Sequence, residues 1–163
     1  MTTTERTMTP KLPPRWFIRT AWVAHRAVYG LTGGRRGLST PTAGGRVGYL
    51  RLHTVGRRTG ELRVAILAYV EDGSNLVTLA MNGWADPEPA WWVNLQAAPD
   101  AVVDLKAGGQ RPVRARAATS DERPRLWGLV STYSGYGDLD AFAAARAGET
   151  AVVILEPPGT WTA

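Results

Sequence analysis

The chain contains no cysteine. That excludes disulfides, thiol nucleophiles and thiolate metal sites at once. Histidine is nearly as scarce, with only His25 and His53, far apart in sequence. A zinc or iron centre would have to lean on carboxylates, so no metal is expected, and redox chemistry would need a borrowed organic cofactor. No apolar run approaches the roughly 18 residues of a membrane span. The N-terminal stretch also lacks an apolar core followed by a small-residue cleavage site, so a cytoplasmic protein is expected. Neither histidine has a local acidic or nucleophilic partner, and there is no Gly-x-Ser-x-Gly elbow, so no hydrolase triad is suggested. Helix-turn-helix, zinc-finger and RNA-binding signatures are missing too, and no nucleic-acid partner is expected.

What remains is one ordinary globular domain: 163 residues, 44% hydrophobic and 20% charged, enough to bury a real core. Its charge is unevenly placed. Through Arg63 there are 12 Lys/Arg against Glu5 and Glu61, a balance of +10; from Val64 onward 7 basic residues face 12 acidic ones, a balance of −5. The basic half calls for an anionic partner such as a phosphate, a nucleic acid or an acidic membrane surface, or else is a solvated arginine-rich face.

Residues 1–11 are polar and Thr-rich and read as a flexible tail. Residues 12–45 read as an amphipathic helix from Pro14 to Leu31 followed by a glycine-rich loop. Leu12, Trp16, Thr20, Val23, Ala27 and Leu31 recur at spacings of three and four, with Arg15, Arg19 and Arg26 elsewhere on the wheel. Such a helix can pack on its own domain, pair two subunits into a homodimer, or make peripheral contact with a membrane. Residues 46–158 carry the fold. Strands are expected at Val47–Thr54, Leu62–Glu71, Leu76–Met81, Ala101–Lys106, Arg111–Ala118 and Ala151–Glu156. Helices are expected over Pro89–Ala97 and from a Ser120 cap through Val130. Successive hairpins imply antiparallel pairing, and six strands without an obvious polar face suggest closure into a small barrel. The fold class is therefore mainly β with flanking helices.

Three constellations could carry chemistry. In Gly56-Arg57-Arg58-Thr59-Gly60, two glycines allow a tight turn whose N–H groups could converge on an anion, and Arg57, Arg58 and Arg63 add guanidinium forks suited to phosphate. An ordinary hairpin turn with solvated arginines explains the same residues. The second runs from Asn82, Gly83 and Trp84 through Pro89 to Trp91, Trp92 and Asn94, from a strand end into a helix N-terminus that can face a polar ligand. Aromatic packing of a short helix on the barrel is its bland reading. The third is Tyr133-Ser134-Gly135-Tyr136-Gly137, where a phenol could donate a proton or stack on a substrate, or simply sit in a surface loop.

Taken in order, these pieces resemble the deazaflavin-dependent nitroreductase family of actinobacteria. The resemblance rests on Gly56-Arg57-Arg58-Thr59-Gly60 with Arg63, Asp72-Gly73, Asn82-Gly83, Pro89-Ala90-Trp91-Trp92-Val93-Asn94-Leu95 and Pro99. It continues through Asp121-Glu122-Arg123, Leu126-Trp127, Tyr133, Tyr136 and Val152-Val153-Ile154-Leu155-Glu156-Pro157. It implies a six-stranded antiparallel split β-barrel, like the FMN-binding split barrels, and an oxidoreductase that passes a hydride from reduced coenzyme F420 to a small electron-poor acceptor: a quinone, an enone or a nitroaromatic. By position, Arg57, Arg58, Thr59, Gly60 and Arg63 would hold the cofactor's phosphate and acidic tail. Asn82, Gly83, Trp84, Pro89, Trp91 and Asn94 would lie along the deazaflavin, with Tyr133 and Tyr136 as catalytic residues on its substrate face. Some relatives have Ser-Lys-Gly-Gly where this chain reads Met81-Asn82-Gly83-Trp84, and a tyrosine where it has Leu139. Two rivals keep the barrel: one that carries F420 or another acidic or lipid ligand without turning it over, and one that uses FMN.

Overall fold

The computed structural model describes residues 37–84 and 86–159. The expected tail and the helix over Pro14–Leu31 lie outside the described residues. The elements are β1 (Gly48–Val55), β2 (Leu62–Asp72), β3 (Asn75–Leu79), α1 (Ala90–Ala97), β4 (Asp100–Leu105), β5 (Gly109–Ala117), α2 (Arg123–Ser131), α3 (Leu139–Ala144) and β6 (Val152–Glu156). The strands close into a barrel in the order β1-β2-β3-β6-β5-β4. Every neighbouring pair is antiparallel.

Two apolar clusters explain which strands alternate and which do not. In β1, Leu50, Leu52 and Thr54 are buried while Tyr49, Arg51, His53 and Val55 point outward, the period-two signature of a strand covered on one side. The inward residues join Leu67, Tyr69, Leu76, Val103 and Leu155 in the barrel core, into which α1 inserts Trp91, Trp92 and Leu95. β3 and β6 are buried on both faces. Their outward residues Val77, Leu79, Val152 and Ile154 meet α2 and α3 in a second cluster, so they read as unbroken apolar runs. Each large side chain fully buried in either cluster contributes about 1.5–3 kcal/mol.

The α2 start differs from expectation. Ser120 turns its hydroxyl to Asp121. Thr119 takes the capping role: its N–H donates to Glu122 Oε2 at 2.9 Å and its hydroxyl accepts from the Glu122 N–H at 3.4 Å. This is a reciprocal box closed one residue earlier, because Glu122 is the carboxylate that reaches back three positions. The same carboxylate accepts two bonds from Arg116 of β5, at 2.7 and 2.8 Å, and Arg116 Nε reaches Glu156 of β6 at 2.7 Å. The Arg116 guanidinium and the Thr119 N–H hold the Glu122 carboxyl down at about 2, against an ordinary 4.5. A depressed carboxyl stabilises the fold above its unfolded value and loses that contribution as pH falls through its folded value. Because a third of the side chain meets solvent, screening limits the gain. Glu122→Gln is expected to lower stability by about 1 kcal/mol at neutral pH. Urea melts of the two proteins should converge between pH 4.5 and about 2.

α3 is an element that the sequence reading lacks. It is short, but Asp138 caps it by accepting from the Ala141 N–H at 3.1 Å.

Candidate active site

Two of the three constellations, the arginine turn and the tyrosine loop, lie at opposite ends of one surface, the outward face of β1 and β2. Paired residues point to the same side of a sheet, and here the pairs are Val55 with Leu62, His53 with Val64, Arg51 with Ile66 and Tyr49 with Ala68. Tyr49, Val55, Leu62 and Val64 are 40, 45, 64 and 43% exposed, the large apolar residues that stand in solvent among the described residues. From Val55 to Tyr49 the strip runs roughly 20 Å at the rise of a strand.

At one end sits the arginine turn. Gly56 and Gly60 close it: the Gly60 N–H donates to Gly56 O and the Gly56 N–H to Glu61 O, both at 2.8 Å. Gly60 takes φ +69°, open to glycine at no steric cost. The N–H of Arg57 donates to Asn94 Oδ1 at 3.2 Å. These donors are spent within the fold, so the expected cradle of backbone N–H groups does not form from them. Anion binding at this turn rests instead on side chains. Arg63 pairs with Glu61 at 2.6 Å, whereas the exposed Arg57 and Arg58 have no ion-pair partner among the described residues.

Asn94 is the clip that fixes the turn. It is buried, accepts from Arg57 N, and donates through Nδ2 to Thr54 Oγ1 at 3.3 Å. Its amide therefore faces protein on both sides, and α1 stands behind the turn. Trp91 and Trp92 are likewise turned into the core, 8 and 5% exposed, and Pro89 occupies the N-cap position.

At the other end lies the tyrosine loop. Ser134 bridges to Arg46, and the Ser134 N–H donates to Gly45 O at 2.8 Å, stitching the loop to the residues that lead into β1. Tyr136 is 4% exposed and its hydroxyl donates to Ala68 O at 3.0 Å; burial pushes its titration upward. Tyr133 is half-buried and packs at the margin of the second cluster.

The Asn82-Gly83-Trp84 segment borders the same cluster. Asn82 is exposed and Gly83 turns at φ +56°. Trp84 also takes a left-handed φ, +63°, which disfavours a side chain and suits glycine. It is held there by burial and by stacking on Phe142 of α3, with ring centroids 5.6 Å apart and planes within 18°.

One cluster was missed. Asp104 of β4 stands beside β1, where His53 Nε2 lies 3.0 Å from its Oδ2 and Arg51 pairs with the same oxygen. The expectation that neither histidine has an acidic neighbour holds only along the sequence. Barrel closure brings Asp104 to His53 across 51 residues. No group of His, Asp and Glu that could hold a metal occurs among the described residues. No helix among them is long and apolar enough to cross a membrane.

Solved structures fix the class: a split β-barrel. A chain titled as a domain-swapped dimer superposes with TM-score 0.62 at 23% identity, over 85% of this chain and 99% of its own. A structure titled as an F420-H2 dependent reductase superposes with TM-score 0.57 at 24% identity, over 74% of this chain and all of its own. The model of the F420H(2)-dependent quinone reductase family matches residues 22–157, and the chain belongs to that family. F420H(2)-dependent quinone reductases of Mycobacterium tuberculosis, from the H37Rv and CDC 1551 strains, are each 33% identical over 127 residues, 72% of this chain and 80% of theirs. The protein is thus an F420H2-dependent oxidoreductase, and neither the non-catalytic carrier nor the FMN reading is favoured. "Nitroreductase" is the looser term for it.

Proposed function

We propose that the chain binds coenzyme F420 along the outward face of β1 and β2 and reduces a quinone there. The observation that carries this reading is the exposed apolar strip leading from an arginine turn to a tyrosine loop. Arg57 and Arg58 supply guanidinium groups for a phosphodiester and an acidic tail, with Arg63 behind them. Val55, Leu62 and Val64 offer flat apolar contact to the ring and its linker, excluding water from one side of the ligand. When bound, reduced F420 supplies a hydride from its C5 position. A quinone that accepts the hydride also needs a proton to become a hydroquinone. Of the two loop tyrosines, Tyr133 is the one whose hydroxyl is not taken up as that of Tyr136 is, and it is assigned to deliver the proton, directly or through solvent. Tyr136 acts as a positioning residue, since its hydroxyl is engaged by Ala68 O and its ring fills the second cluster. Trp84, Trp91 and Asn94 shape the site from behind.

The decisive measurement is a fluorescence titration of the purified protein with F420, followed by turnover of F420H2 with menadione. Micromolar binding and quinone-dependent oxidation of F420H2 are expected. No binding at tens of micromolar overturns the reading.

A further inference from the structure

The Arg51–His53–Asp104 cluster has no part in the function just described, yet it lies on the same face. Across that face the order is β4, β1, β2. Asp104 belongs to the first, Arg51 and His53 to the second, and the exposed Val64 to the third. His53 is two residues from Val55, so it stands about 7 Å along the strand from the end that carries the arginine turn.

The dyad fixes which ring nitrogen is free. A carboxylate only accepts, so the His53 nitrogen beside Asp104, Nε2, carries a hydrogen and donates it. Burial by itself would raise the Asp104 carboxyl. The hydrogen bonds from His53 and Arg51 outweigh it and hold that carboxyl below its ordinary value. With Nε2 committed, Nδ1 has no hydrogen-bond partner among the described residues. In the neutral ring Nδ1 is an acceptor, which repels a phosphate oxygen. In the imidazolium it is a donor, which attracts one. Asp104 faces the ring at 3.0 Å. Arg51 is drawn to Asp104, while β2 and β4 present Val64 and Val102 opposite His53.

We propose that His53, oriented by Asp104, is a second anion contact of the cofactor face, joining the arginine turn on the phosphodiester of the bound cofactor only when its imidazole is protonated. The inference rests on the placement of F420 along the β1–β2 strip. Its sign is definite: binding an anion favours the protonated ring, so affinity is highest at low pH and falls as pH rises through the imidazole range.

The test is the F420 dissociation constant, by fluorescence, at about pH 5.5 and about pH 8.5 for the native protein and His53→Gln. The ligand's own titration is common to both proteins and cancels in the comparison. The native protein is expected to gain roughly fivefold more affinity on acidification than the variant, the size of one charge contact at about 4 Å screened by water. Proton NMR of the His53 ring should show its titration midpoint rising when F420 is added. Asp104→Asn should weaken the acid-side gain by releasing the ring from its fixed orientation; an unaltered pH profile in it removes Asp104 from the proposal. If Asp104→Asn does not fold, His53→Gln still decides the case. Equal pH ratios in the native protein and His53→Gln overturn this inference alone. Absence of F420 binding at both pH values overturns the placement of the cofactor instead.

Discussion

Replacing Arg146 with methionine is expected to cost about 2–4 kcal/mol of stability, the sum for two buried acceptors left without donors. The side chain is 1% exposed. Its Nη1 donates to Ala80 O at 3.2 Å and to Thr150 Oγ1 at 2.7 Å. Among the described residues its charge meets Asp86, half-exposed and 3.5 Å away, so hydrogen bonding more than ion pairing makes the group tolerable inside. Methionine fills the volume and supplies neither donor. Lysine keeps the charge with a single ammonium that cannot reproduce the planar fork, so it should recover about half of the loss. The effect should also be local. Arg146 ties the end of β3 to the segment after α3, and the Ala147 N–H adds a bond to Asp86 Oδ2 at 3.3 Å. Amides of residues 80–84 should therefore exchange faster in the variant, and urea melts should show the loss. At this chain length the same loss lowers Tm by roughly 6–12 °C. A change below about 1 kcal/mol would mean that relief of the buried charge offsets the lost bonds.

The barrel was legible because its signals are local. Alternation in β1, the glycine turns at Gly56–Gly60 and Asp72-Gly73, and the doubly buried runs of β3 and β6 all act within a few residues. Strand limits moved by only one or two positions, as with β3 ending at Leu79 and β5 starting at Gly109. α3 was not found because Leu139-Asp140-Ala141-Phe142-Ala143-Ala144 is too short for helical periodicity to register. Its cap, Asp138, was the available signal, but the glycines before it favour a loop reading. Thr119 and Ser120 are adjacent and chemically alike, so only the reach of Glu122 separates them as caps. Around the proposed site, the direction of the side chains was not legible. Trp91 and Asn94 are both buried on α1, yet the direction they face depends on where the helix docks. The His53–Asp104 pair depends on the register of β1 with β4, which exists only once the barrel closes. A chemically suggestive pair separated by 51 residues of sequence leaves no trace in spacing.

The largest functional effect is expected from Arg57 and Arg58 together. In the double variant Arg57→Ala/Arg58→Ala, the F420 dissociation constant should rise roughly 30- to 150-fold, about 2–3 kcal/mol for two charge-assisted contacts with phosphate or carboxylate. Stability should change by less than about 0.5 kcal/mol, because both side chains are exposed and form no ion pair among the described residues. That separation of affinity from folding sets these residues apart from Asn94, whose loss would disturb the turn itself. Arg63 should matter less on its own. It is already engaged by Glu61 at 2.6 Å and by Thr59 at 3.4 Å, so any anion must compete for it. The same argument predicts that Glu61→Gln tightens F420 binding by freeing that guanidinium and removing a negative charge from the turn. Titrations at rising ionic strength give a further check, since exposed charge contacts weaken with salt. Native affinity should fall with salt more steeply than that of the double variant. If Arg63→Ala proves more damaging than the double variant, the phosphate sits on the β2 side of the turn, and the anion contacts run from Arg63 along β2 instead of through Arg57 and Arg58.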